Sequence, residues 1–186
     1  MNDAQMALYT NVYIIRHNMA KGGIIQNIKV KNKITSFGLT SIAKLLNGDF
    51  NEVTLSDVNI FVPNYVAVGT VNKNLVDSVI NTNYSVQYID RQLDEEYTNA
   101  DNKKERLAIA QKNFSFSQDE SMVTLEMKSY IMEDQMAGYN IRELGLFTNK
   151  EDNTCWARVI LPENSMFVKE KGEVVDIVWK IIIASV

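Results

Sequence analysis

Residues 139–161, YNIRELGLFTNKEDNTCWARVIL, contain two apolar runs on either side of a polar turn. The run from Tyr139 to Thr148 is rich in β-forming residues, and the run from Cys155 to Leu161 alternates apolar with polar positions. Between them, Asn149 to Asn153 supply the Asn and Asp side chains that favour tight turns. The stretch therefore predicts a β-hairpin in a sheet core, with the rest of the chain built around it.

The C-terminal segment shows the clearest strand pattern, because its apolar residues alternate with Asp176 and Lys180. Five apolar side chains fall on one face of this strand: Val175, Ile177, Trp179, Ile181 and Ile183. Their burial would contribute on the order of 10 kcal/mol before conformational entropy is subtracted. We therefore expect a buried strand here and loss of the fold when it is truncated.

Two further pairs of strands are predicted. Val12–Ile15 and Ile24–Val30 flank a glycine-containing turn, so they form either a hairpin of the domain or an arm that pairs with a neighbouring subunit. Leu107–Phe116 and Met122–Met132 flank a turn at residues 118–121 and form the second pair. Consecutive antiparallel hairpins of this kind favour a sandwich.

Between these pairs, Tyr65–Thr70 is apolar at nearly every position, which predicts a central strand covered on both faces. Pro63 removes a hydrogen-bond donor and so places a bend or an edge just before it. Downstream, residues 75–80 predict a short helical turn and residues 84–89 another strand.

One amphipathic helix is predicted after residue 34. Thr35 or Ser36 can cap its start, and Asn47-Gly48 can end it by adopting a left-handed conformation. Its apolar residues lie at i, i+3, i+4 and i+7, which predicts packing on a sheet through one face. That face contains Leu39, Ile42, Ala43 and Leu46.

These elements predict a mainly β protein, an antiparallel β-sandwich of jelly-roll or barrel type with one amphipathic helix. Residues 1–33 form an N-terminal β-hairpin or arm, and residues 34–186 form the β-sandwich domain. The most polar block, residues 90–106, shows no apolar periodicity. It is predicted to be a solvated loop or the tip of a long hairpin, with an insertion that reaches an adjacent subunit or an outside ligand as the alternative.

The composition argues against several classes of function. With 186 residues, 46% hydrophobic and 23% charged, the chain fits one globular domain, and its net charge of −4 offers no basic excess for nucleic acid or an anionic membrane. Its single cysteine, Cys155, and single histidine, His17, cannot supply a metal cluster, and it contains no phosphate-binding glycine loop. We therefore expect no metal, no cofactor and no nucleic-acid partner. The N-terminus also lacks the basic start and long apolar run of a signal peptide or membrane anchor.

Carboxylates are numerous, but no pair is singled out for general acid–base chemistry. Glu143 is the most informative, because it lies inside an apolar strand where an unpaired buried charge would be costly. It must face solvent, a partner, or a buried cation such as Arg91, Arg142 or Arg158. A salt bridge or an interface contact is favoured over catalysis. The candidate interface residues are Glu143, Arg142, Tyr97 and Arg91, and no catalytic residue is assigned.

Short apolar motifs follow one another in a distinct order over residues 34–186. The central pair is IRELGLF at Ile141–Phe147, followed by WAR at Trp156–Arg158. Earlier members are ITSFGL at 34–39, LNG at 46–48, YVAVGT at 65–70, and the residues Leu75 and Arg91. This order resembles that of small β-rich structural proteins of tailed bacteriophages, which occur in tails, baseplates and fibre attachments.

The resemblance implies a non-enzymatic virion protein that is made in the host bacterial cytoplasm and assembles into a tail, baseplate or neck ring. It also implies homo-oligomers and contacts with other phage structural proteins, through edge strands and the loop at 90–106. A second hypothesis, from fold-level analogy, is a carbohydrate- or receptor-binding β-sandwich module that uses aromatic residues such as Tyr97 or Trp156. An enzyme that uses a carboxylate pair is the third and least favoured hypothesis.

Overall fold

The structure is a computed structural model that describes residues 6–47, 62–70, 92–117, 121–151 and 154–185. Within these ranges the protein is mainly β, as predicted, and its one α-helix is α1 (Ser36–Asn47). A 3-10 turn covers Glu163–Ser165. The strands are β1 (Met6–Asn18), β2 (Gly23–Lys31), β3 (Lys33–Ile34), β4 (Tyr65–Thr70), β5 (Glu95–Glu96), β6 (Leu107–Ala108), β7 (Gln111–Phe116), β8 (Met122–Ile131), β9 (Asn140–Ile141), β10 (Glu143–Phe147), β11 (Cys155–Ile160), β12 (Phe167–Val168) and β13 (Glu173–Ser185).

The first sheet has the strand order β2-β1-β13-β8-β7, and every neighbouring pair is antiparallel. Its middle strand is β13, and the predicted alternation is confirmed, since Val175, Ile177, Trp179 and Ile181 are buried. The fifth residue of that face, Ile183, is half-buried. Strands β1 and β2 pair with each other, and β1 also pairs along the full length of β13.

The second sheet has the order β3-β11-β10-β4-β5, with β6 also paired to β4. The predicted hairpin is confirmed as β10 and β11, and both strands have neighbours on each side. Strand β4 lies beside β10 and starts two residues after Pro63, as expected for a covered strand bounded by proline. A third, two-stranded sheet joins β9 and β12.

A single core lies between the first and second sheets. Strands of the first sheet contribute Val12, Ile14 and Trp179, and strands of the second contribute Val68 and Leu146 to the same cluster. Because successive side chains of a strand point to opposite faces, Glu143, Gly145 and Phe147 of β10 project away from this core. This second surface of the second sheet is called the outer face below.

The predicted strand at residues 107–116 is divided between the two sheets. Strand β6 pairs with β4 of the second sheet, whereas β7 pairs with β8 of the first. The chain crosses between them at Ile109 and Ala110, whose amides donate to Asn64 O and Lys128 O. The predicted pairing of this region with Met122–Met132 is confirmed for β7 and β8.

The prediction for the helix is correct in position and correct only in part for the face that packs. Ile42 packs against the core as predicted, and the side chain of Leu46 lies outside the described residues. Thr35 caps α1, since its Oγ1 accepts from the Gly38 amide at 3.2 Å. Leu39 is 42% exposed and Ala43 is exposed, whereas Gly38 and Ser41 are buried. A Cβ on Gly38 would lie 2.1 Å from Trp156 O, so the helix approaches β11 through its smallest residue.

Several predicted features lie outside the described residues. They are the helical turn at 75–80, the strand at 84–89, Gly48 at the helix end, part of the turns at 118–121 and 149–153, and Arg91. In the described part of the chain, no helix combines the length and apolarity needed to cross a membrane.

Candidate functional site

The outer face of the second sheet is covered by residues 92–106, the most polar block of the chain. Leu93 is buried there against Ala67, Phe147 and Cys155. Strand β5 pairs with β4, and Thr98 forms an isolated bridge with Lys104. The expectation of a merely solvated loop is therefore wrong for Leu93 and for Arg106, which is also buried.

Beneath this cover lies a buried ion-pair cluster formed by Glu143, Arg158 and Asp94. Arg158 Nε donates to Glu143 Oε2 at 2.9 Å, and its Nη2 lies 2.8 Å from Asp94 Oδ1. The other carboxylate oxygen of Glu143 accepts from the Asp94 amide at 2.8 Å and the Glu95 amide at 3.3 Å. Both carboxylate oxygens of Glu143 therefore accept hydrogen bonds. One accepts from Arg158 on β11, and the other accepts from residues 92–106, which are called the covering segment below.

The sheet makes room for this carboxylate through a glycine on the neighbouring strand. Glu143 of β10 lies directly opposite Gly69 of β4. A Cβ at Gly69 would lie 2.8 Å from Glu143 Oε1 and 2.8 Å from Glu95 O. Such distances are not tolerated, so glycine is the residue that lets the carboxylate and the covering backbone approach together.

A second ion pair holds the far end of the covering segment. Arg106 donates from Nε and Nη2 to the two oxygens of Glu96 at 2.6 and 2.9 Å, and from Nη1 to Asn149 O at 2.9 Å. Its guanidinium carbon lies 3.5 Å from the centroid of the Phe147 ring, a cation–π contact. The segment is therefore attached to the β10–β11 hairpin at both ends.

Two tyrosines lie at the rim of the cluster. The rings of Tyr97 and Tyr139 meet edge to face with centroids 4.8 Å apart, and Tyr139 Oη donates to Glu95 O at 3.0 Å. Burial raises the pKa of Tyr139 to about 12. The phenol therefore stays protonated and remains a donor at physiological pH.

Burial dominates the electrostatics of the ion-pair cluster. It raises the pKa of Glu143 to about 7, because lost hydration and the Asp94 charge together outweigh the attraction of Arg158. Burial alone would lower the pKa of Arg158, but the Glu143 and Asp94 carboxylates outweigh it and raise that pKa. Glu143 therefore changes its protonation near neutral pH, while Arg158 stays charged.

This arrangement is suited to holding chain segments together rather than to contacting a ligand. Glu143 has 0% of its surface exposed. Within the described ranges, no group of three or more His, Cys, Asp or Glu side chains is placed to hold a metal ion. A crevice of about 440 Å³ does lie beside the covering segment. Its lining residues are Asn99, Lys103, Lys104, Glu105, Lys150 and Glu151.

The predicted site residues differ in how deeply they are buried and in whether the structure describes them. Glu143 meets Arg158, one of the three cations considered, and it lies inside the chain rather than at its surface. Arg142 and Tyr97 are half-buried, and Arg91 lies outside the described residues. Trp156, one of the aromatics considered for sugar binding, is buried against the core.

Sequence reasoning missed Arg106 and the role of Asp94. Glu143 and Asp94 are 49 residues apart, so no local pattern connects them. A signal was present in Gly69, because a glycine inside an apolar strand often marks the close approach of another group.

Exposed apolar side chains lie at a different place, on the edge of the first sheet. All six residues of β7 are exposed, and its Phe114 and Phe116 are 71% and 61% exposed. Their rings meet edge to face with centroids 6.0 Å apart. Large exposed apolar groups that lie together mark contact surfaces more often than isolated ones do.

The fold and its buried cluster define a mainly β protein whose internal charges attach a long covering segment to the sheet. No protein-family model, no curated protein and no solved structure matches this chain. Its function is therefore inferred from its own residues and their geometry.

Proposed function

We propose that this chain is a non-enzymatic structural protein of a tailed phage or a related contractile particle, and that it assembles into a tail, baseplate or neck ring. The observation that carries the proposal is the free edge of the first sheet. Among the described strands, β7 has β8 on one side and no strand on the other. An exposed edge with apolar side chains is suited to adding a strand from another subunit.

The order of sequence motifs supports the same role. The motif IRELGLF occupies β9 and β10, and WAR lies on β11, which pairs with β10. Strands β10 and β11 lie inside the second sheet, with a neighbour on each side, and β9 pairs with β12 in the two-stranded sheet. The motifs therefore occupy positions that hold the sheets together, as expected of a structural subunit.

The buried ion pairs support it as well. Glu143 and Arg158 bind each other and the covering segment, and Arg106 ties the same segment to Asn149. These groups stabilise one arrangement of the chain. A subunit that bears load in a particle benefits from such internal attachments.

The test is to find the protein in particles. Phage or phage-like particles from the source organism would be purified on a density gradient, and the chain would be quantified by mass spectrometry against other particle proteins. We expect the chain to co-sediment with the particle peak at a fixed copy number per particle. Antibody-gold labelling should then place the chain in the tail or neck region.

Absence of the chain from the particle peak would contradict the proposal. Its presence in variable amounts, or its removal by a salt wash, would indicate adventitious adsorption and would contradict it too. A solution mass at a stable multiple of 21.2 kDa would be expected of a ring subunit that assembles by itself.

A further inference from the structure

Among the strands that the structure describes, the first sheet ends in two edges that have no further neighbour, and the two are built differently. Strand β2 lies at one end and β7 at the other. Both expose large apolar side chains, which are Ile24 and Ile25 on β2 and Phe114 and Phe116 on β7. What separates the edges is the charge and regularity of each strand.

The β2 edge is protected against pairing. It contains Lys29 and Lys31, both exposed, and its register with β1 shifts between Arg16 and His17. Exposed lysines and bulges are the usual devices that prevent an edge strand from adding a neighbour. Antiparallel pairing of β2 with a second β2 about an axis at Lys29 would place Lys29 opposite Lys29, and an axis at Val30 would place Lys29 opposite Lys31.

The β7 edge carries fewer of these devices, because its register with β8 is unbroken and it has one lysine where β2 has two. Its one charged residue is Lys112, near the start of the strand. The Ser117 amide donates to Met122 O at 2.9 Å, which fixes the alternation of hydrogen bonds with β8. The backbone N–H and C=O groups of Lys112, Phe114 and Phe116 consequently point to the free side.

We propose that β7 pairs antiparallel with β7 of a second copy of this chain, about a twofold axis at Phe114. The inference rests on the proposed assembly role and names the surface that serves it. It joins two first sheets into one continuous sheet. The backbone groups of Lys112, Phe114 and Phe116 then bond across the new pair.

The side chains of β7 are complementary to themselves in this register. Phe114 lies opposite Phe114 of the second copy, and Lys112 lies opposite Phe116. The Lys112 Nζ donates to Asn64 Oδ1 of its own chain at 2.7 Å, so its charge already has a partner. Asn113 lies opposite Ser115, and both can exchange hydrogen bonds. No position sets like charges against each other, in contrast to the β2 edge.

The aromatic area that the two copies can bury determines the expected affinity of the dimer. Phe114 and Phe116 are 71% and 61% exposed, so each copy offers about 270 Å² of aromatic surface, taking about 200 Å² per ring. That is about a third of the roughly 800 Å² that each partner buries in a stable complex. We therefore expect a reversible dimer with a Kd of about 1 to 100 μM, strengthened where a particle holds the subunits close together.

The first experiment measures the mass of the purified full chain by analytical ultracentrifugation from 1 to 500 μM. The wild type should pass from monomer to dimer over this range. The double variant Phe114→Ser/Phe116→Ser should weaken dimerisation about tenfold or more, because exposed aromatics are the usual anchors of such contacts. The matched control Ile24→Ser/Ile25→Ser, on the protected edge, should leave it unchanged.

A second experiment tests the register. Asn113 and Ser115 of opposite copies form a close, non-hydrogen-bonded pair, with Cα atoms about 4.5 Å apart, which suits a disulfide. Under mild oxidation, a mixture of Asn113→Cys and Ser115→Cys chains should give a linked dimer that neither variant gives efficiently alone. The native Cys155 is buried and should not interfere.

Three results would overturn the inference: no wild-type dimer at 500 μM, a dimer that both edge variants weaken equally, or no preferential linkage in the mixture. Unchanged circular dichroism of the variants would show that they remain folded. These measurements use purified protein, so their failure would leave the location of the chain in particles to be decided separately, and the reverse also holds.

Discussion

The two hairpins β10–β11 and β7–β8 treat polar and apolar side chains in opposite ways. Every residue of β10 is buried, including the charged Glu143, whereas every residue of β7 is exposed, including two phenylalanines. Charged side chains are ordinarily exposed and aromatic side chains ordinarily buried, so a buried charge or a cluster of exposed aromatics calls for a specific explanation. The buried hairpin contributes to the stability of the chain, and the exposed strand β7 is the surface for which we propose contacts with a second copy.

The largest expected effect is that of Arg158→Ala. It leaves Glu143 and Asp94 without their shared cation, one of them fully buried, so we expect the free energy of unfolding to fall by about 3 to 5 kcal/mol in urea denaturation at pH 8. Arg142→Ala is the matched control, since this neighbour of Glu143 is only half-buried. A loss below about 1 kcal/mol for Arg158→Ala would mean that the cluster does not stabilise the fold.

The double variant Glu143→Leu/Arg158→Met refines that prediction. Replacing both members of a buried pair by apolar residues is often neutral or stabilising, because neither charge is left alone. We therefore expect it to recover most of the loss caused by Arg158→Ala. A loss as large as that of Arg158→Ala would show that the hydrogen bonds that the Asp94 and Glu95 amides donate to Glu143 matter more than the ion pair.

The protonation of Glu143 predicts a pH dependence. Its pKa is about 7 in the folded chain and about 4.5 as a free side chain, so the unfolded state binds fewer protons between these values. The free energy of unfolding should therefore fall as the pH rises from 5 to 7 and level off above about pH 8. The contribution is on the order of 3 kcal/mol.

The variant Glu143→Gln isolates this effect from other titrating groups. Its stability profile, measured by urea denaturation from pH 5 to 8.5, should lack the decline that Glu143 contributes. If both proteins show the same slope, the Glu143 carboxyl does not change protonation in this range.

Gly69→Ala tests the space around the same carboxylate. The added methyl group would meet Glu143 Oε1 and the Glu95 backbone, so we expect a loss of about 1 to 3 kcal/mol in thermal or urea unfolding. Gly23→Ala is the control, because a Cβ there meets nothing within 4 Å. Equal losses for the two substitutions would mean that crowding at Glu143 and Glu95 is not the cause, since the effect of Gly→Ala on the unfolded chain is stabilising.

The strands of this protein could be predicted from sequence where their side chains repeat with period two. The alternation along β13 and the two apolar runs of the β10–β11 hairpin are local signals, and both strand predictions are confirmed. The place before an apolar run likewise predicted Thr35 or Ser36 as the helix cap, and Thr35 is the residue that caps it. These features depend on neighbours within a few residues.

The partners of Glu143 and the packed face of α1 could not be predicted in this way. Three arginines were possible partners, and only the register of β10 with β11 places Arg158 on the same face as Glu143. The predicted helix face was wrong at Leu39 and Ala43, because Gly38 approaches Trp156 O closely and places its own side of the helix against β11. An apolar stripe in the sequence does not show such a contact. For a similar reason, the sequence did not predict that residues 92–106 cover the outer face. Polar residues that bind each other in the structure look like a solvated loop in the sequence.

The smallest expected effect completes the comparison of the two hairpins. Phe114→Ala in dilute solution should change the free energy of unfolding by less than about 0.5 kcal/mol, because 71% of that side chain is already exposed in the monomer. The same substitution at Phe147 on β10, which is fully buried beneath Arg106, should cost about 3 to 5 kcal/mol. Urea denaturation at 1 μM measures both. A loss above about 2 kcal/mol at Phe114 would mean that the β7 aromatics help to hold the chain together, and the division between a hairpin for stability and a hairpin for contact would no longer stand.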